Sequence, residues 1–320
     1  MHLSGVKERQ KNMIVVPLIQ KIAELFLILF CTAALVRAGI VKTEDSKVLS
    51  KLSLYFVTPC VIFNAFQKDL TPDVLQGMGA ALLLSVLFHT VFILIASLFG
   101  KFFKATEVER ACVIFTNCGN LIIPIVSYVF GPEWVIYVSC SMVVFNILCW
   151  TYGIRIFDNK SPLSAKRVLL NPNILALIFG ALSLVLKIRL FGPLEEFFND
   201  MSGMIGPLSM MITGMVIGSM SFKELFANRR IFLVILFRFV FCCAAAVAII
   251  KLTGIEGSIA DGHTIAMISL LSGAAPSASN INQFAIIYNH DAKYASAINV
   301  VTTLLCIIFI PFWVFVFEHI

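Results

Sequence analysis

Two stretches of this sequence place amides, hydroxyls, glycine and proline in the middle of apolar surroundings. One is Thr116-Asn-Cys-Gly-Asn120 with Pro124; the other is Ser272-Gly-Ala-Ala-Pro276-Ser-Ala-Ser-Asn280, with Asn282 just beyond it. Proline lacks a backbone N–H and clashes with the preceding turn, while small polar residues favour caps and turns, so each stretch predicts a helix broken at its middle. A break leaves the second half-helix with unpaired N–H groups and the positive end of its dipole, a combination suited to holding a carboxylate. Asn117, Asn120 and the backbone around Pro276 are therefore candidate ligands. Ser277, Ser279 and Asn280 are expected to cap the second half of one broken helix, and Asn120 that of the other. Asn282 adds a neutral amide.

The elements that must position these residues are dictated by composition. Hydrophobic residues make up 59% of the chain and charged ones 13%, with a mean hydropathy of +0.95, which implies lipid as the solvent. A crossing needs roughly 20 apolar residues for a hydrocarbon core ~30 Å thick, so 320 residues suffice for about ten crossings joined by short loops. The expected fold is an all-α integral membrane protein with ten transmembrane helices, near 14–40, 47–67, 75–100, 107–130, 133–156, 171–190, 199–221, 229–252, 262–289 and 294–317. The first run follows Lys7, Arg9 and Lys11 but continues without a small-residue cleavage site, and it reads as a retained helix. The nine cysteines lie in apolar stretches without metal-ligand spacing and read as small buried apolar residues.

The interruptions recur. Tyr55-Phe-Val-Thr-Pro59 in the second helix precedes the broken fourth by two helices, and Met204-Ile-Gly-Pro207 in the seventh precedes the broken ninth by the same interval. That spacing suggests two five-helix repeats, 14–157 and 165–318. Five is odd, so the second repeat enters the membrane from the opposite side as an inverted repeat. Broken helix at membrane depth survives only where protein or a water-filled cavity covers it, so helices four and nine should lie inside the bundle. Pro59 and Pro207 themselves read as kinks, and Asn64, Asn146 and Asn299 as interhelical hydrogen-bonding groups.

Loops after the odd-numbered helices, with the adjoining helix ends, hold fifteen of the 24 Lys and Arg, including Lys160 and Arg167. Cytoplasmic loops are enriched in these residues, which places the odd loops in the cytoplasm and both termini outside a plasma membrane. The net charge of +6 is then a topology signal, and no basic patch interleaved with aromatics points to nucleic acid. Glu24, His89 and Arg238 are the ionisable residues placed deep in helices, where charge is expensive. His89 could carry a coupling proton or stand as a neutral, hydrogen-bonded imidazole. Arg238 could attract the anion, pair with Glu24 or snorkel to an interface. No Walker loop, His-Glu-x-x-His, Gly-x-Ser-x-Gly elbow or intrahelical pair of catalytic aspartates is present, which argues against an enzyme. A carrier, or a solute-gated channel or sensor using the same midplane site, remains.

Gly39 before a short charged loop and a Tyr-x3-Pro helix, Asn117-Cys-Gly-Asn-Leu-Ile-Ile-Pro124 leading to Phe130-Gly131, Ala275-Pro-Ser-Ala278, Tyr294-Ala-Ser296 and Thr302-Thr303 together resemble the auxin efflux carrier family over nearly the whole chain. Asn117, Gly119 and Pro124 match the family's Asn-x-Gly-x-x-Gly-x-Pro motif, with Ile122 in place of its second glycine, so the resemblance adds Gly119 and Pro124 to the candidate substrate-binding residues. It implies ten helices in two inverted repeats, with helices four and nine crossing at their breaks. It further implies a transport domain of about 75–156 and 229–317, moving like an elevator against a scaffold of about 14–67 and 171–221 that forms a homodimer. The implied substrates are small organic anions, from auxin-like acids to dicarboxylates. No cofactor is implied, and coupling to protons or sodium, with His89 and Asn282 as candidates, is left open. The short loop at 157–170 resembles the prokaryotic form.

Overall fold

The computed structural model describes residues 2–159, 166 and 169–320; the expected boundary at 165 and the basic residues Lys160 and Arg167 lie outside them. The described residues fold as helices joined by short connections: α1 (His2–Arg37), α2 (Thr43–Ala65), α3 (Pro72–Phe103), α4a (Glu107–Ile114) and α4b (Cys118–Val129), α5 (Pro132–Phe157), α6 (Pro172–Val185), α7 (Pro193–Ser219), α8 (Ile231–Ser258), α9a (Gly262–Ala274) and α9b (Asn280–Ile287), and α10 (Ala292–His319), with one short turn of helix at Phe222–Leu225. Seven of these, α1, α2, α3, α5, α7, α8 and α10, are long and apolar enough to cross a membrane, and α4b, α6 and α9a are shorter apolar helices. The chain is a multi-pass membrane protein. Exposed side chains such as Leu83, Leu94, Leu98 and Phe102 on α3 give it a surface suited to lipid.

Helix ends follow local chemistry. The Thr71 hydroxyl accepts from the Val74 N–H ahead of α3, with Pro72 in the first turn; Asn171 and Asp291 do the same for α6 and α10. Gly39, at φ +73°, closes α1 as the Ile40 N–H reaches back to the Leu35 carbonyl, a turn that only glycine takes without strain. The start of α7 differs from expectation. It begins at Pro193 rather than near 199 and includes Glu195, Glu196 and Asp200. Gly192, at φ +56°, turns the chain, Pro193 opens the helix, and the two glutamates sit in the first turn, where the dipole favours negative charge. Hydropathy discounts such residues although they are good helix starters. Pro59 and Pro124 each follow a widened π turn, Ser53–Val57 and Cys118–Ile122, which absorbs the missing N–H and the ring clash.

Packing sorts the helices. α7 lies along α1, and α2 packs on α6 and α7; α3 packs against α5, α8 and α9a. The α1–α7 contact depends on glycines four apart: a Cβ at Gly214 would meet the Leu29 carbonyl and Thr32, and one at Gly218 would meet the Ala33 carbonyl and Val36. Small residues at this spacing let two backbones approach in lipid, where burial of apolar surface supplies no drive. The two broken helices sit deepest. Residues 265–278 are buried throughout, as are 111–116 and 121–126. Gly214→Leu should therefore destabilise the protein by about 1–3 kcal/mol through overpacking. Gly203→Ala, whose Cβ would meet nothing within 4 Å, should melt at or slightly above the parent in the same detergent thermal scan, since alanine is the better helix former.

Candidate functional site

The breaks fall at 115–117 and 275–279, and they meet. Thr116 and Ser277 form an antiparallel bridge in which the Asn117 N–H donates to the Pro276 carbonyl at 2.8 Å and the Ala278 N–H donates to the Phe115 carbonyl at 3.0 Å. Phe115 and Ala275 are extended, at ψ 128° and ψ 157°; for Ala275 the following proline excludes the helical region. Each break thus supplies partners that the other has lost. Side chains finish the junction. The Ser277 hydroxyl donates to the Cys112 carbonyl at 2.6 Å, the Ser277 N–H donates to the Thr302 hydroxyl at 3.2 Å, and the Asn299 amide on α10 donates to the Ser277 carbonyl at 2.6 Å. The guanidinium of Arg238, buried in a π turn of α8 (Leu236–Cys242), bonds the carbonyls of Gly273, Ala275 and Val113. It does not pair with Glu24, which takes Lys21 of the same helix at 2.8 Å.

Beside the junction is a cavity of about 90 Å³. Its walls are Ser50, Ser53, Leu54 and Thr58 of α2, Asn173 of α6, and Ser209, Ile212 and Thr213 of α7 on one side. Opposite stand Thr116, Asn117, Gly119 and Asn120, then Met142, Phe145 and Asn146 of α5, and Ala278, Ser279, Asn280 and Gln283. The lining holds amides, hydroxyls and a few apolar groups and, among the described residues, no ionisable side chain. Asn173 Oδ1 and Ser209 Oγ are buried without a partner among the described residues, and both residues belong to this wall. A second cavity of about 200 Å³ includes Asn64, Gln67, Lys68, Ser127, Glu133 and Arg189. Gly206 touches Pro124 and lies on α7 between Ser202, which lines the second cavity, and Ser209, which lines the first.

Of the candidate residues, Asn117, Gly119, Asn120, Ser279 and Asn280 line the first cavity together. Pro124, Pro276 and Ser277 do not: Pro124 packs on Gly206, the Pro276 carbonyl takes the Asn117 N–H, and Ser277 is spent inside the junction. Asn282 and His89 also lie off the lining. The His89 Nδ1 lies 2.8 Å from the Ser85 carbonyl, and its ring packs on Phe92 at 6.2 Å between centroids. The expected caps shift. Asn117, not Asn120, stands at the N-cap position of α4b, and Asn120 falls inside the first turn. Ser279 is the N-cap residue of α9b, but its hydroxyl does not cap; it accepts from the amides of Asn117 and Asn299, each at 3.4 Å. Asn117 makes no side-chain cap either, because its amide donates across the junction to Ser279.

Other residues were passed over in the sequence. Ser209 and Thr213, four apart on α7, and Gln283, three residues after the candidate Asn280, stand on apolar helices at the spacing of a polar stripe facing a common space. Asn146 bonds its own helix, at the Met142 carbonyl, and turns to the cavity; Asn64 does bond across helices, to Asn199 and Ser202. Glu109 is the larger omission. Fully buried, it accepts Arg230 Nε at 2.7 Å and Nη2 at 2.8 Å, the Tyr294 hydroxyl at 3.0 Å and the Thr106 N–H at 2.8 Å, joining α4a to the starts of α8 and α10. The capping box Thr106-Glu-Val-Glu109 was its readable signal.

A polar, uncharged cavity at the meeting point of two broken helices in a multi-pass bundle defines a membrane transport protein. The chain belongs to the family described as Membrane transport protein, whose model matches residues 17–166 and 161–314; this is the family of the auxin efflux carriers that its motifs resemble. It is 25% identical over 291 residues to an uncharacterised transporter of Methanocaldococcus jannaschii, covering 86% of this chain and 91% of that one. It is 30% identical over 115 residues to an uncharacterised transporter of Schizosaccharomyces pombe, covering 35% of this chain and a quarter (25%) of that longer protein.

Ser277→Ala should remove one hydrogen bond from a fully buried carbonyl and lower stability by about 1–3 kcal/mol in a denaturation experiment. Ser97→Ala, at an exposed hydroxyl bonded within its own helix, should leave stability unchanged.

Proposed function

We propose that this protein is a secondary carrier that moves small organic anions, mono- or dicarboxylates or auxin-like acids, across the plasma membrane by an elevator-like alternation. The observation that carries the reading is the cavity itself, walled by α2, α6 and α7 on one side and by α4, α5 and α9 on the other. A solute held there touches both groups of helices, so sliding one group past the other changes the side from which it is reached. In this reading the halves 14–157 and 165–318 are inverted repeats, α4 and α9 cross at their breaks, α1, α2, α6 and α7 are the scaffold through which two copies pair, and the remaining helices move. Both termini lie outside the cytoplasm.

Carboxylate binding is assigned to the first turns of α4b and α9b, with the amides of Asn117, Asn120 and Asn280 and the hydroxyl of Ser279. Two half-helix N-termini supply positive potential without a buried cation on the cavity wall. In this reading the close approach of Pro124 to Gly206 is part of the barrier between the two cavities.

Asn117→Ala should weaken uptake of a transported carboxylate into proteoliposomes about tenfold, the equivalent of ~1.4 kcal/mol. The solute is first identified by screening radiolabelled mono- and dicarboxylates. Unchanged affinity and rate in the variant would sink the site assignment, and binding without flux would sink the carrier reading.

A further inference from the structure

The broken helices have two kinds of end. Their N-terminal ends, on α4b and α9b, border the cavity; their C-terminal ends, on α4a and α9a, turn away from it toward α8. A helix C-terminus carries the equivalent of roughly −0.5 elementary charge, and two of them gathered together form a natural cation site. In carriers with interrupted helices, such carbonyls hold a coupling ion.

Here the place is filled by the chain. Arg238 Nη2 donates to the Gly273 carbonyl; Nε and Nη2 reach the Ala275 carbonyl at 3.2 and 2.8 Å, and Nη1 reaches Val113 at 3.4 Å. Its remaining face lies over the Phe92 ring at 5.3 Å from the centroid. Its four closest hydrogen bonds go to backbone carbonyls, with the Cys242 thiol beside it, and among the described residues it forms no ion pair. A fully buried cation without a carboxylate is tolerable only if dipoles balance it. Two C-terminal ends of roughly −0.5 each match one guanidinium. The guanidinium is always charged and presents donors in a fixed fork, so it can hold carbonyls from both breaks at once.

We infer that Arg238 is a built-in cation in the position a coupling sodium would take between the half-helix ends, and that the junction is complete without sodium. This deepens the carrier reading and rests on it only where it speaks of coupling. Arg238 is a positioning residue: it does not line the cavity, and it holds the two breaks where they meet.

The test uses substrate-free, purified full-length protein in detergent, followed by thermal unfolding in sodium chloride or choline chloride of equal ionic strength. Wild type should melt at the same temperature in both. Arg238→Ala should melt several degrees lower and be partly restored by millimolar methylguanidinium, which should leave wild type unmoved; Arg238→Lys should fall between. A binding ion raises the melting temperature of the state that holds it, so a wild-type temperature that climbs with sodium but not choline overturns the inference. So does Arg238→Ala melting like wild type, or methylguanidinium stabilising both proteins alike. Should Arg238→Ala fail to fold, the sodium comparison on wild type and on Arg238→Lys decides. No transported solute is needed, so an absence of carboxylate uptake would count against the carrier reading and not against this one.

Discussion

Two backbone hydrogen bonds, from Asn117 N–H to Pro276 and from Ala278 N–H to Phe115, set the terms for the rest of the molecule. An unpaired backbone group at membrane depth costs several kcal/mol, so neither break could persist alone. Each helix is interrupted where the other can supply its missing partners. That mutual dependence requires α4 and α9 to be buried side by side, and it explains why their middle residues have so little contact with the surface. The bonds the bridge does not make are made by side chains committed to that purpose: Ser277 to Cys112, Asn299 to Ser277, Thr302 to the Ser277 N–H.

Breaking two helices at one place also separates charge. The N-terminal ends of α4b and α9b border a cavity with no ionisable wall residue among those described, and the C-terminal ends of α4a and α9a converge on Arg238. In the proposed reading the N-terminal ends offer positive potential to a solute, and Arg238 cancels the negative potential of the C-terminal ends. The buried guanidinium then serves the frame, while the cavity wall is built from amides and hydroxyls.

Around this centre the structure is held by contacts suited to lipid. Gly214 and Gly218 bring α7 against the α1 backbone, and Gly206 brings it against Pro124. Glu109 ties α4a to the beginnings of α8 and α10 through Arg230 and Tyr294. The first set positions the wall formed by α2, α6 and α7, the second the opposing elements, and the cavity lies where the two surfaces face each other.

The sequence by itself determined the solvent, the extent of most helices and the positions of both interruptions, because these depend on local properties: apolar length, a missing N–H, a small side chain. It placed Asn117, Gly119, Asn120, Ser279 and Asn280 among the residues that come together, since each sits in a break that announces itself. It misjudged the start of α7, where acidic residues lower hydropathy yet favour a helix N-terminus. Tertiary structure alone decided partnership. Whether Ser279 caps its own helix or accepts from Asn117, whether Arg238 meets Glu24 or three carbonyls, and whether Ser277 faces a solute or Cys112 depend on groups up to 165 positions away in the chain. A polar side chain in an apolar helix must find a partner, and its own sequence neighbourhood does not say which one will be in reach.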